Sequence, residues 1–82
     1  MKLTILTREY CSLCHAMFDA LQIWQQRYDF TIEKKEVDDF PQLVEKYDEL
    51  VPVLLDENGV EICHWHLDEN ALVQYLDKNK PN

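Results

Sequence analysis

The segment Leu3-Thr4-Ile5-Leu6-Thr7 alternates with a period of two, placing Leu3 and Ile5 on one face and Thr4 and Leu6 on the other. Apolar side chains on both faces predict a central strand covered from both sides. The period then changes. Leu13, Met17, Ala20, Leu21, Trp24 and Tyr28 recur at three- and four-residue steps, so the spacing predicts a helix from about Ser12 to Tyr28 with one core-packed apolar stripe. Phe30 to Val37 reads as a second strand. Its charges at Glu33, Lys34, Lys35 and Glu36 place it near a sheet edge.

Asp38 or Asp39 is positioned to cap a short helix from about Phe40 to Tyr47, and Pro41 suits its first turn. Val51-Pro52-Val53-Leu54-Leu55 is a third strand entered through a proline, which must avoid a ladder donor position. Glu57-Asn58-Gly59 signals a turn, with Gly59 free to take positive φ, and Val60 to His64 forms the returning strand. Asp68 caps a last helix from about Glu69 to Asn79. Leu67 and Leu72 stand at hydrophobic-staple positions, and Lys78 and Lys80 complement the dipole. Lys80-Pro81-Asn82 is expected to fray. The order β-α-β-α-β-β-α predicts an α/β fold: a mixed four-stranded sheet with helices on both faces. Its two βαβ-type connections imply right-handed crossovers.

Composition narrows the function classes. Eighty-two residues make one domain, and an apolar fraction of 46% is ordinary for a folded chain. The net charge of −8 repels polyanions, so neither nucleic acid nor an anionic membrane surface is an expected partner. No stretch resembles a signal peptide or a membrane span, and three cysteines are too few and too odd for a disulfide scaffold. A monomer in the reducing cytoplasm is the expectation, where a close cysteine pair reads as catalytic or metal-binding.

That pair is Cys11 and Cys14, within Tyr10-Cys11-Ser12-Leu13-Cys14, at the junction of the first strand and first helix. A C-x-x-C there reads as redox-active. Cys11 would sit where free N–H groups and the helix dipole favour an anion, and the thiolate is the nucleophile. Lowering a thiol pKa from ~8.5 to ~7 raises the thiolate fraction at neutral pH from about 3% to about 50%. Arg8 is the nearby cation candidate. Cys14, one helical turn on, faces the same side and can resolve a mixed disulfide at Cys11.

These residues resemble the glutaredoxin-like branch of the thioredoxin superfamily. The strand into Cys11-Ser12-Leu13-Cys14, Arg8 before it, Val51-Pro52 and the closing Leu67-Asp68-Glu69 helix carry the resemblance. It implies a thioredoxin-like fold and thiol–disulfide exchange on protein or small-molecule disulfides, with no cofactor. It also implies a cis Val51–Pro52 bond beside the dithiol and substrate pairing at Val51. Tyr10, Ser12, Leu13, Val51 and Pro52 then flank the substrate. Two departures stand out. Ser12-Leu13 replaces the usual Pro-Tyr between the cysteines. His64-Trp65-His66-Leu67 occupies the stretch where glutaredoxins carry a glycine pair that glutathione approaches. With the acidic charge, this argues against glutathione as the main partner.

Two other readings compete. Cys63 and either His64 or His66 could join Cys11 and Cys14 in a four-ligand zinc or iron–sulfur site. Strand alternation opposes this, because Cys63 and Trp65 share one face while His64 and His66 share the other. The second alternative is a binding module that docks a partner without turnover, for which Cys14 would be superfluous.

Overall fold

The structure, a computed structural model, describes residues 1–79. The expected fraying at Lys80-Pro81-Asn82, and the dipole role of Lys80, fall outside them.

Four strands and three helices follow in the expected order: β1 (Lys2–Thr7), α1 (Ser12–Trp24), β2 (Thr31–Glu36), α2 (Pro41–Tyr47), β3 (Val53–Leu55), β4 (Glu61–His64) and α3 (Glu69–Lys78). The sheet order is β2-β1-β3-β4, with β1 inside and the charged β2 at an edge. The outcome is the thioredoxin-like mixed sheet anticipated from the sequence.

The alternation in β1 partitions the core. Leu3 and Ile5 join Met17, Leu21, Phe30, Leu54, Cys63, Leu72 and Leu76 under α1 and α3. Leu6 turns to the other face, with Val37, Tyr47 and Val53 under α2. Leu3, Ile5 and Leu6 have no solvent exposure, as a strand covered on both faces requires.

The expectation of two parallel crossovers is corrected. β1 and β2 are parallel, from Lys2↔Thr31 to Thr7↔Glu36. β3 is antiparallel to β1, with Leu6 opposite Val53, and antiparallel to β4. Helix length explains the difference. The 13 residues of α1 span ~20 Å, enough to carry the chain back along a six-residue strand. The seven residues of α2 span only ~10 Å. The chain therefore re-enters the sheet at the end where β2 left it, the end that also holds the dithiol.

Several boundaries move for local reasons. α1 stops at Trp24, short of Tyr28. Gln25 Nε2 donates to the Phe30 carbonyl at 3.0 Å, closing a turn that swings Phe30 into the core. Tyr28 stays ordered against Trp24, and its hydroxyl donates to Asp77 of α3 at 2.8 Å. Neither Asp38 nor Asp39 caps α2. Both lie in a 3₁₀ turn, Val37–Asp39, and Phe40 occupies the cap position without a side-chain bond. β3 begins at Val53, because Pro52 has no N–H to give the ladder. In the hairpin, Gly59 takes φ +81°, and Asp56 Oδ1 accepts from the amides of Asn58 and Val60 at 2.8 and 3.0 Å. At α3 the Asp68 carboxylate accepts from the Ala71 amide at 3.0 Å, and Leu67 and Leu72 meet the same core, as anticipated.

Candidate active site

Four connecting segments meet at one end of the sheet: residues 8–11, 37–40, 48–52 and 65–68. Cys11 closes the first of them and is the N-cap of α1, with extended backbone at φ −104° and ψ 103°. Its sulfur accepts from the Cys14 amide at 3.2 Å, and its carbonyl accepts from the His15 amide at 3.2 Å. A sulfur thus stands where helix caps ordinarily place an oxygen, against one of the free donors of the first turn. The two cysteines are joined as a disulfide, with Cα atoms 5.2 Å apart.

The pair is asymmetric. Cys11 is partly exposed, whereas Cys14 is 3% exposed and faces inward with Met17 and Leu21. This corrects the expected stripe: Cys14 takes the inward position at the start of α1, and Leu13 points outward at 39% exposure. Ser12 is exposed beside it. Tyr10 stands almost free in solvent at φ 59°. A cleft of about 340 Å³ opens beside Cys14, walled by Thr7, Arg8, Glu9, Tyr10, His15, Lys34 and Glu36.

Arg8 has a different environment from the one its position suggested. All four of its hydrogen bonds go to acidic residues. Nε and Nη2 form a fork on Asp38 at 2.9 Å each, Nη2 reaches Asp48 Oδ1 at 2.6 Å, and Nη1 reaches the Asp48 carbonyl at 3.1 Å. The hydrogen bonds to Asp38, then to Asp48, raise the Arg8 pKa, and Arg8 holds the Asp38 carboxyl below its ordinary value. The charge of Arg8 is therefore matched twice over. Its visible work is mechanical: it ties the loop before Cys11 to the 3₁₀ turn and to the loop before Pro52. Neither carboxylate was identifiable as its partner from sequence, since the contacts span 30 and 40 residues.

The Val51–Pro52 bond is cis, as the resemblance implied. Pro52 is buried and Val51 partly exposed. Among the described residues, the Val51 amide and carbonyl have no backbone partner, whereas the Pro52 carbonyl accepts from the Trp65 amide at 2.8 Å. Trp65 is a residue that sequence reasoning missed. β4 ends at His64, and Trp65 turns to φ 64°, so the strand alternation assumed for Cys63 and Trp65 breaks there. Its indole N–H donates to the Glu49 carbonyl at 2.9 Å. The signal in the sequence was a bulky aromatic in the stretch where the resemblance to glutaredoxins implied a glycine pair.

The four-ligand metal arrangement is not assembled. Cys63 is buried opposite Leu54 within the core, and burial pushes its thiol pKa up. His64 Nδ1 is paired with Glu61 Oε2 at 2.7 Å. Among the described residues, no group of three or more His, Cys, Asp or Glu side chains could hold a metal ion. Nor is any helix there long and apolar enough to cross a membrane.

Comparison with known proteins agrees with this architecture. A family profile described as "Glutaredoxin-like domain (DUF836)" matches residues 2–77. None of the curated proteins matches the chain. Among solved structures, protein Ne2328 of Nitrosomonas europaea is 34% identical, with 92% of this chain and 89% of that one covered and a TM-score of 0.86. Target protein XcR50 of X. campestris is 33% identical over 93% and 96% of the two chains, with a TM-score of 0.69. Thioredoxin 1 of Thermosipho africanus, 24% identical over 99% and 100%, shares the fold with a TM-score of 0.65. With Cys11 capping its first helix and a family match over residues 2–77, the chain belongs to the glutaredoxin-like domain family.

Proposed function

We propose that the protein is a thiol–disulfide oxidoreductase in which Cys11 is the nucleophile and Cys14 the resolving thiol. The observation that carries this reading is the bonded Cys11–Cys14 pair at the N-terminus of α1, with the Cys14 amide directed at the Cys11 sulfur. In the reduced protein the same amide and the helix dipole would favour a thiolate at Cys11. Partial exposure of Cys11 and burial of Cys14 support the division of roles.

In the exchange, the Cys11 thiolate attacks one sulfur of a substrate disulfide. A Cys11–substrate disulfide forms and the other substrate sulfur leaves as a thiolate, which takes a proton from solvent. Cys14 then loses its proton and attacks the Cys11 sulfur. The intramolecular disulfide forms, the second substrate thiolate leaves, and two electrons have passed from dithiol to substrate. A cellular dithiol of lower potential returns the pair to its reduced form. The Val51 backbone, which has no backbone partner among the described residues and lies in the loop entering β3 at the dithiol end of the sheet, would pair with an extended substrate, and Tyr10, Ser12 and Leu13 would flank it. The substrate is a protein or small-molecule disulfide. By the resemblance to glutaredoxins, His64-Trp65-His66-Leu67 replaces the glycine pair that glutathione approaches, and with the acidic charge this disfavours glutathione. The protein acts as a monomer in the cytoplasm.

The test is turnover of a reporter disulfide with a recycling dithiol. Cys11→Ser should abolish it, and Cys14→Ser should accumulate a mixed disulfide detectable by intact mass. Full activity in Cys11→Ser would remove Cys11 as nucleophile. Efficient turnover of Cys14→Ser with glutathione would instead indicate a monothiol cycle.

A further inference from the structure

The dithiol end of the sheet combines two surface features. The first is apolar: Tyr10 at 99% exposure, Leu13 at 39% and Trp65 at 48% stand around the cysteine pair and the Pro52 loop. Tyr10 and Trp65 are the two non-glycine residues with positive φ among those described. Such backbone is uncommon for large side chains, and here it turns both aromatic rings outward rather than into the core. The second feature is charge. The four segments at this end carry Glu9, Asp38, Asp39, Asp48, Glu49 and Asp68, with Arg8 as their one cation. Arg8 is already bonded to two of these carboxylates. Lys34, on the wall of the cleft beside Cys14, lies over the Phe18 ring at 4.2 Å. The segments at the opposite end, 25–30 and 56–60, hold three carboxylates and Arg27.

Resting on the oxidoreductase reading above, we infer that the substrate is a polypeptide disulfide whose half-cystine is flanked by lysine or arginine. Tyr10, Leu13 and Trp65 form its docking surface. The unpaired Val51 backbone would receive an extended chain rather than a compact small molecule. Cationic side chains on that chain would meet the carboxylates and the faces of the two exposed rings. An acidic rim around a partly exposed sulfur raises the local concentration of cationic disulfides and depresses that of anionic ones, to a degree that falls as salt rises.

The experiment compares symmetric disulfides of short peptides, one with lysine and one with glutamate around the cysteine, and an uncharged small disulfide, 2-hydroxyethyl disulfide. Each rate with the reduced protein is divided by its rate with dithiothreitol, which removes intrinsic differences in leaving-group reactivity. The lysine peptide should react faster than the glutamate peptide by about tenfold or more at low salt, and the two should converge as salt is added. The double variant Glu9→Gln/Glu49→Gln should lower that ratio. Tyr10→Ala and Trp65→Ala should each slow both peptides by a larger factor than they slow 2-hydroxyethyl disulfide. Equal rates for the two peptides, a faster glutamate peptide, or oxidised glutathione outpacing the lysine peptide would overturn the inference and leave the oxidoreductase reading intact. A self-associated dimer that shields Tyr10 and Trp65 would also overturn it, by giving the surface to a second copy. Failure to reduce any of these disulfides would remove the oxidoreductase reading and this inference together.

Discussion

Arg8 Nη2 donates to the Asp48 carboxylate at 2.6 Å, and Nη1 donates to the Asp48 carbonyl at 3.1 Å. Arg8 lies three residues before Cys11, and Asp48 three before Val51, so this contact joins the loop carrying Cys11 to the loop carrying the cis proline. A planar fork is needed to reach Asp38 and Asp48 together, and lysine cannot supply one. Arg8→Lys keeps the charge and loses the geometry. It should slow disulfide reduction by roughly tenfold, less than the ~100-fold that a 1 Å misplacement can cost. The pH midpoint of Cys11 reactivity should stay unmoved. If the midpoint rises and the rate loss follows it, Arg8 acts on Cys11 through charge rather than position.

The same clip has a pH signature. Arg8 depresses the Asp38 pKa in the folded protein, relative to an unfolded value near ~4. A depressed carboxylate stabilises the fold above its unfolded pKa, and that stabilisation is lost as pH falls through the folded pKa. Urea titrations of the natural protein and Asp38→Asn should show a constant gap from neutral pH down to about pH 4, narrowing below it. A gap that widens in acid would contradict the pairing.

Leu21 is fully buried and packs α1 onto the face of the sheet formed by Leu3, Ile5 and Leu54. Leu21→Ala should destabilise the fold by about 2–5 kcal/mol in denaturant titrations, without changing which cysteine reacts first. That is a large share of the stability available to a chain of this length.

Much of this architecture was legible from local pattern. The alternation of Leu3, Ile5 and Leu6 specified a doubly covered strand, and the charges of β2 specified an edge. Asp68 and Leu67 specified the start of α3. These are short-range signals, read within one turn or one strand. Two of the misreadings depended on distant partners. Nothing in Gln25-Gln26-Arg27 breaks a helix; α1 stops there because Phe30, further along, must reach the core. Asp38 resembles a helix cap until Arg8, 30 residues away, claims its carboxylate. At the site, the cysteine spacing and the proline could be read directly. The clip and the placement of Trp65 were set by tertiary contacts with Asp48, Glu49 and Pro52.

Cys63 gives a contrast within one molecule. It is 8% exposed, and burial raises its thiol pKa, so it lacks the thiolate character that reactivity needs. In the oxidised native protein, iodoacetamide should label it only at the rate at which the fold opens, and denaturant should make labelling fast. Rapid labelling under native conditions would place Cys63 among the reactive thiols.

The most direct measurement is the pH dependence of iodoacetamide alkylation in the reduced protein, with the modified cysteine identified by peptide mass. Cys11 should be alkylated first, with a midpoint below the ~8.5 of a free thiol, while Cys14 stays protected. A Cys11 midpoint at or above ~8.5, or modification of Cys14 ahead of Cys11, would contradict an ionised nucleophile at the start of α1.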